Sequence, residues 1–203
     1  MDDDVIQRFL AEIQQLPSES GASLDQVLKP TLEYESELRK VFASDRDNDK
    51  LKDPHVGLVD LFGERTPDAV RRSRARVVVS EDDEAFAAHY VMPLPVAKRR
   101  KEGEQCIVST VDDFKKNWAV FTEGSLGQLL DWSNVVAAGG SVLSCLAPLS
   151  EQASKSRRNI RKWYHQEGFP TSDVDLFLWG LNAEQVRPFV WFLQQGLTTF
   201  YFW

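Results

Sequence analysis

Residue types that build metal and redox centres are scarce in this chain. Its 203 residues include two cysteines, Cys106 and Cys145, and three histidines. No C-x-x-C pair exists and the histidines share no metal-ligand spacing, so the sequence argues against a structural zinc site. A G-x-S-x-G frame, which would indicate a nucleophilic serine, is also missing. We expect Cys145, within the apolar stretch "SVLSCL", to be a small core residue.

A long uninterrupted apolar run is also missing. The longest apolar stretch, "RPFVWFLQQGLTTFYFW", is broken by polar residues and falls short of the roughly 20 apolar residues that a spanning helix needs. The amino terminus, "MDDDVIQRFL", is acidic where a secretory signal would be basic and apolar. The sequence therefore predicts no transmembrane segment, and the cytoplasm is the expected compartment.

Positive charge is sparse at the front of the chain. Residues 1–63 hold 14 acidic and 7 basic residues, which accounts for the whole net charge of −7. This balance does not favour a protein that coats nucleic acid. The run "KRRK" at 98–101 resembles a nuclear-import or anion-binding patch, although such a run in a polar loop is usually solvated surface. The nucleus therefore stays open as an alternative compartment.

Apolar periodicity predicts helices near the amino terminus. In 3–16, apolar residues recur on one helical face, and aspartates occupy the first turn. A second helix is expected from Leu24, broken or restarted at Pro30. The stretch 55–63 fits either a strand or a short helix, and a strand is predicted at about 75–79 with a short helix after it.

The order of elements after residue 110 predicts a sheet with helices packed against it. Thr110 or Asp112 is expected to cap a first helix, and Ser125 a second, short one. "NVVAA" predicts a buried strand, "GGS" a tight turn and "SVLSCLAPL" a helix. "DVDLFLWG" predicts a second strand, and Asn182 is expected to cap the helix that follows. The expected fold class is α+β, with a small mixed sheet and a helical amino-terminal region.

The turn "GGS" has the chemistry of a phosphate cradle. Glycine at the end of a strand lets the chain turn sharply and brings backbone N–H groups close to a ligand. Ser141 can begin the helix and donate to an anion, and a helix N-terminus attracts negative charge. Tight glycine turns that hold no ligand are common, so this motif alone is weak support.

The pair Asp173 and Asp175 strengthens this interpretation. Side chains alternate along a strand, so both carboxylates are expected on one face, where they repel each other. A divalent cation relieves that repulsion, and Mg²⁺ prefers one or two carboxylates together with substrate phosphate oxygens. Two such ions can activate an attacking oxygen and stabilise a leaving pyrophosphate.

Together, "AAGGS" and "SDVDLFL" resemble the nucleotidyltransferase superfamily, to which DNA polymerase beta and poly(A) polymerases belong. The resemblance implies that Asp173 and Asp175 are the catalytic, metal-binding acids. It implies a nucleotide-binding turn at Gly139, Gly140 and Ser141, and we add Ser172, beside the acids, to the nucleotide-binding candidates. A wider resemblance, from about residue 20 to 186, is to large uncharacterised fungal proteins, some with ankyrin repeats, and supplies no activity.

A basic insert lies between the two motifs. The link from Gly139 to Asp173 is longer than is usual in that superfamily, and residues 152–166 contain no acidic side chain. Arg157, Arg158 and Lys162 within it are expected to neutralise the charge of a triphosphate or of an RNA end. A solvated basic flank of a helix is the alternative.

Two further departures from the superfamily concern the end of the chain. After Asp175 the only acid is Glu184, in a predicted helix and not on the strand that carries the third acid in that superfamily. From Arg187 onward there is one charged residue in 17, and the chain ends on "FYFW". We therefore expect an incomplete core at 110–186, a helical or mixed region at 1–109, and an apolar tail at 187–203 that is a candidate for a truncated or misread gene end.

The sequence thus predicts a nucleotide- and magnesium-binding nucleotidyltransferase-like domain that is weakly active or inactive. A nucleoside triphosphate is the expected partner, and the acceptor is left open. The alternative is a non-catalytic interaction module. In that case the aspartates bond locally, and the aromatic tail, with Trp191 and Phe192, binds a protein or drives self-association.

Overall fold

The computed structural model describes most of the chain, namely residues 2–16, 24–53, 55–74, 100–129 and 131–198. The chain divides into two units, Met1–Cys106 and Ile107–Trp203. The fold is α+β: the described residues form seven α-helices and a two-stranded antiparallel sheet, together with shorter helical turns. The strand predicted near 75–79 and the helix predicted after it lie outside the described residues.

The first unit is built around two helices, α1 (Asp2–Gln14) and α2 (Leu24–Ser44). The amphipathic pattern of 3–16 correctly predicted α1, which buries Leu10. The predicted break at Pro30 is wrong, because α2 continues through that residue. Proline removes one backbone donor, but the hydroxyl of Thr31 donates to the Glu12 carboxylate at 3.1 Å and ties α2 to α1 beside the proline.

The stretch 55–63 consists of turns, so both alternatives predicted for it are wrong. Aspartate side chains explain the difference. The backbone N–H of His55 donates to the Asp53 carboxylate at 2.9 Å, and that of Phe62 donates to the Asp60 carboxylate at 3.0 Å. Such local bonds compete with regular secondary structure and favour turns.

The second unit begins with α3 (Val111–Phe121). Thr110 caps it, since its hydroxyl oxygen accepts from the backbone N–H of Asp113 at 3.1 Å, as one of the two predicted alternatives stated. Ser125 is not a cap. It is the first residue of a 3₁₀ turn that runs to Gln128, and its hydroxyl donates backwards to the Thr122 carbonyl at 2.6 Å.

The sheet consists of β1 (Val135–Ala138) and β2 (Asp175–Leu178). The strands are antiparallel, with Val135 opposite Leu178 and Ala138 opposite Asp175. Both predicted strands are therefore present, although β2 begins at Asp175, two residues later than predicted. Within the described residues the sheet is an antiparallel pair and not the mixed sheet that was predicted.

Helical segments connect and follow the strands. The helix α4 (Gly140–Leu146) ends two residues before Pro148, where the extended Ala147 has the conformation that proline imposes on the residue before it. Next come the short helices α5 (Glu151–Ser154) and α6 (Arg157–Lys162), and a π-helical turn over Trp163–Gly168. The last helix, α7 (Ala183–Thr198), is capped by Asn182 as predicted and continues through Pro188.

One apolar cluster holds the second unit together. Phe121 of α3 meets Tyr164 of the π-helical turn edge to face, with ring centroids 5.3 Å apart. Cys145 and Tyr164 are completely buried, and Val120 and Ile160 complete the buried cluster. The expected core position of Cys145 is confirmed.

None of the described helices combines the length and the apolar character that a bilayer crossing requires.

Candidate functional site

The corner between β1 and α4 depends on a glycine. β1 ends at Ala138, Gly139 adopts φ 79° and ψ −157°, and α4 begins at the next residue. This backbone conformation is essentially restricted to glycine, because an L side chain would clash with its own backbone. The N–H of Leu143 donates to the Gly139 carbonyl at 3.2 Å and closes the first turn. Gly139 and Gly140 are both exposed, so the backbone of the corner faces solvent.

The carboxylate of Asp175 lies directly against this corner. A Cβ atom built on Gly139 would stand only 2.6 Å from Asp175 Oδ2. The sheet register is the cause, because Ala138 and Asp175 are directly opposite each other and residues paired in this way share a face. The structure therefore brings the two sequence motifs together at one end of the sheet.

The two aspartates lie on the exposed face of their segment. Asp173 and Asp175 are exposed, whereas Val174 and Leu176 are half-buried, which agrees with the alternation predicted for this stretch. Asp173 precedes the strand, so only Asp175 is held by strand pairing. Phe177 continues the same face and is exposed as well.

The donor set suits a hard cation that brings further oxygen ligands with it. Two exposed carboxylates supply anionic oxygen, and the missing side chain of Gly139 lets the Asp175 carboxylate lie against the corner. Mg²⁺ is commonly held by one or two carboxylates and completes its shell with water and substrate phosphate. Among the described residues no group of three His, Cys, Asp or Glu side chains could hold a metal by itself, so a third acidic ligand does not join the pair there.

The serines predicted to contact nucleotide have different surroundings. Ser141 is completely buried, and its hydroxyl donates to the Ala138 carbonyl at 3.4 Å. It supports the corner from inside, whereas Gly139 and Gly140 are exposed. Ser172 is exposed beside Asp173, and its own N–H donates to the Phe169 carbonyl at 3.2 Å.

The basic residues predicted to contact phosphate lie on α6, and two of the three line a common hollow. Arg158 and Lys162 line a hollow of about 430 Å³ together with Arg161, His165 and Gln166. Arg157 is on the same helix but does not line the hollow. Lys162 is paired with Glu167 at 2.7 Å, whereas Arg157 and Arg158 have no acidic partner among the described residues.

Two features of this region were not foreseen from the sequence. One is the contribution of Glu123, whose carboxylate lies 2.6 Å from Arg161 Nε and 3.6 Å from His165 Nε2. The other is the grouping of His165 and Gln166 with the arginines. A signal for the second was present, because positions 158, 161, 162, 165 and 166 have the spacing of one helical face.

In comparisons with known proteins, no family model, curated protein or solved structure matches this chain. The likeness to nucleotidyltransferases therefore stays a prediction, and it depends on the two motifs and on their meeting at one end of the sheet.

Proposed function

We propose that the second unit binds a nucleoside triphosphate together with Mg²⁺, as a nucleotidyltransferase-like domain. The observation that carries the proposal is the contact between the Asp175 carboxylate and the Gly139 corner. A phosphate cradle and a cation site must adjoin if one ligand is to use both. The adjacency of Asp175 and the Gly139 corner, which strand pairing fixes, supports such a shared site.

Each part of the site has a defined task in this proposal. Asp173 and Asp175 hold the cation, which when bound offsets phosphate charge and can activate an attacking oxygen. The exposed backbone of Gly140 contacts the phosphate oxygens, because no side chain stands there and nothing lies within 4 Å of the position that a Cβ atom would take. Ser172, exposed next to Asp173, can donate to a ligand oxygen.

We propose binding with weak or absent transfer chemistry. Both aspartates are exposed, and a third acid does not join them within the described residues. Solvent weakens each electrostatic interaction that would stabilise a transition state, so the exposed pair is better suited to binding than to turnover.

The test is the binding of a fluorescent ATP analogue, measured by anisotropy with Mg²⁺ and again with EDTA. We expect the wild-type chain to bind in a magnesium-dependent way, and the double variant Asp173→Asn/Asp175→Asn to bind no better than wild type does in EDTA. Glu184→Gln is the matched control, because it removes an exposed acid of the same unit that lies on α7 and not at β2. Equal, magnesium-dependent binding by wild type and the double variant would refute the proposal.

A second function, a protein-interaction module, is favoured by the exposed apolar surface of α7. Trp191 is 64% exposed and Val190 is 43% exposed, which is unusual for side chains of this size and type. Residues 200–203, the rest of the aromatic tail, lie outside the described residues. Light scattering across a concentration series should show self-association in the wild type and less in Trp191→Gln. Monomers of identical size in both proteins would exclude self-association through this surface.

A further inference from the structure

The hollow beside α6 concentrates positive charge. Its lining includes the guanidinium groups of Arg158 and Arg161 and the ammonium group of Lys162. The segment 152–166 contributes no carboxylate. Arg161 and Lys162 are paired with the carboxylates of Glu123 and Glu167, so among the described residues Arg158 is the lining cation whose charge is left to attract an anion.

The hollow is supported by the core of the second unit. Ile160 and Tyr164, on the inner side of the same helical segment, are 1% and 0% exposed. Their packing fixes the direction in which the basic side chains project. The segment changes from α-helix to a π-helical turn at Trp163, so His165 and Gln166 belong to that turn. Turns of this kind are rare and are frequent at functional sites.

Glu123 orders the same hollow from a neighbouring segment. Among the described residues, Glu123 is the non-glycine residue with a positive φ, 52°. This conformation costs free energy, and residues that adopt it cluster at functional sites. Its carboxylate lies 2.6 Å from Arg161 Nε, and the nearby His165 Nε2 is buried without a hydrogen-bond partner among the described residues. Arg161 is thus held by its Nε, which leaves the outer edge of its guanidinium group for a ligand.

We propose that this hollow is a binding site for the phosphate groups of a small phosphorylated ligand. Arg158, which has no acidic partner among the described residues, offers the planar fork that matches two phosphate oxygens. The pairs of Arg161 and Lys162 with carboxylates are exposed and therefore weak, so both side chains can also contact the anion. This site goes beyond the proposed function, because it uses neither the aspartate pair nor a cation.

The size of the hollow and the charge of the chain favour a small ligand. A volume of about 430 Å³ lies in the range of small-molecule sites, roughly 300–1,000 Å³. A nucleic-acid strand is attracted mainly by the electrostatic field of a large basic surface. Residues 64–203 carry no net charge, so the basic hollow is a local feature that admits one or two phosphate groups and not part of a large basic surface.

The experiment is a calorimetric titration of the full chain with sodium pyrophosphate in the presence of EDTA. We expect wild type to bind, and Arg158→Gln to weaken binding by about tenfold, the loss of one charge-assisted contact. Arg157→Gln is the matched control: it removes the same charge from the adjacent position but not from the hollow, and we expect less than about a twofold change. Both side chains are exposed, so both variants should keep the circular dichroism spectrum of the wild type.

The outcomes separate this site from the proposed nucleotide site. Asp173→Asn/Asp175→Asn should bind pyrophosphate as wild type does in EDTA, even if it has lost magnesium-dependent nucleotide binding. Absence of pyrophosphate binding by wild type, or equal weakening by Arg157→Gln and Arg158→Gln, would overturn the proposal. Tighter, Arg158-dependent binding of a short single-stranded oligonucleotide would overturn the assignment to a small ligand.

Discussion

The carboxylate of Asp175 fills the position that a side chain at residue 139 would need. Oδ2 stands 2.6 Å from where a Cβ atom on Gly139 would lie, which is closer than real Cβ atoms approach oxygen. The two residues are joined by the pairing of Ala138 with Asp175 and not by proximity in sequence. Glycine at position 139 is therefore required twice, by the φ of its backbone and by its neighbour across the sheet.

Replacing Gly139 should destabilise the protein, whereas replacing the adjacent Gly140 should not. We expect Gly139→Ala to lower the free energy of unfolding by about 1–3 kcal/mol from backbone strain alone, and by more because of the contact with Asp175. Gly140→Ala is the control. Gly140 has nothing within 4 Å of its added Cβ and lies in a helix, so the change should be neutral or stabilising by up to about 1 kcal/mol.

Urea unfolding of the two variants measures this difference, and a double variant isolates the contact. Gly139→Ala/Asp175→Ala should recover part of the stability that Gly139→Ala loses, because the clash disappears and the strain remains. Equal unfolding midpoints for the two glycine variants would contradict the geometry described for the corner.

The two thiols should differ in reactivity. Burial raises the pKa of Cys145 to about 12, and the side chain is completely enclosed, whereas Cys106 is half-buried. Since the thiolate is the reactive form, a disulfide reagent at pH 8 should label Cys106 quickly and Cys145 only after unfolding. Mass spectrometry of the native wild type should show one modification, and the native Cys106→Ser variant should show none. Rapid labelling of Cys145 in that variant would contradict its buried position.

Alkaline pH should destabilise the second unit. Burial raises the pKa of the Cys145 thiol, and burial together with the adjacent Cys145 raises that of the Tyr164 phenol. Above the ordinary thiol value of 9.0, the unfolded chain releases protons that the folded chain keeps, so unfolding becomes easier as pH rises. The stability contributed by these groups is complete below that pH and falls by up to about 1.4 kcal/mol per pH unit for each group.

Urea midpoints measured between pH 7 and 11 test this expectation. Tyr164→Phe should keep the decline that begins near the thiol value and lose the additional decline due to the phenol. The two proteins are compared by the slope of the urea midpoint against pH. A loss of stability from the missing hydroxyl that is the same at every pH therefore does not affect the comparison. A steeper alkaline decline in Tyr164→Phe than in wild type would contradict the assignment.

The start of α7 should depend on the side chain of Asn182. The Asn182 carboxamide oxygen accepts from the backbone N–H groups of both Glu184 and Gln185, each at 3.0 Å. We expect Asn182→Ala to destabilise the protein by about 1 kcal/mol in thermal unfolding, and Asn182→Asp to retain most of the stability. Equal melting temperatures for Ala and Asp variants would show that this cap contributes nothing.

Local patterns predicted local structure well in this chain. The amphipathic spacing of 3–16, the cap at Asn182 and the strand positions all depend on residues close together in sequence, and all are present in the structure. The break at Pro30 was wrong because a contact from another helix, through Glu12, was not visible in the local pattern. The predicted cap at Ser125 was wrong for a similar reason, because its hydroxyl donates to the Thr122 carbonyl and does not accept from the following turn.

The meeting of the two motifs required information that no local pattern contains. Alternation placed both aspartates on one face, but only the register of β1 against β2 decides which residue faces Asp175. The basic hollow shows the same limit. Helical spacing places Arg158 and Gln166 on one face. The contact of Glu123 with Arg161, however, depends on the backbone angles of a turn, which the sequence pattern does not predict.

The alignment of β1 with β2 has a consequence for folding. A slip of one residue would turn Leu176 and Leu178 towards water and force the charged Asp175 into an apolar interior, at a cost larger than the few backbone bonds that the slipped pairing would keep. The acid that would attract a cation in the finished protein therefore also disfavours misaligned strand pairs while the chain is folding, with or without any ligand.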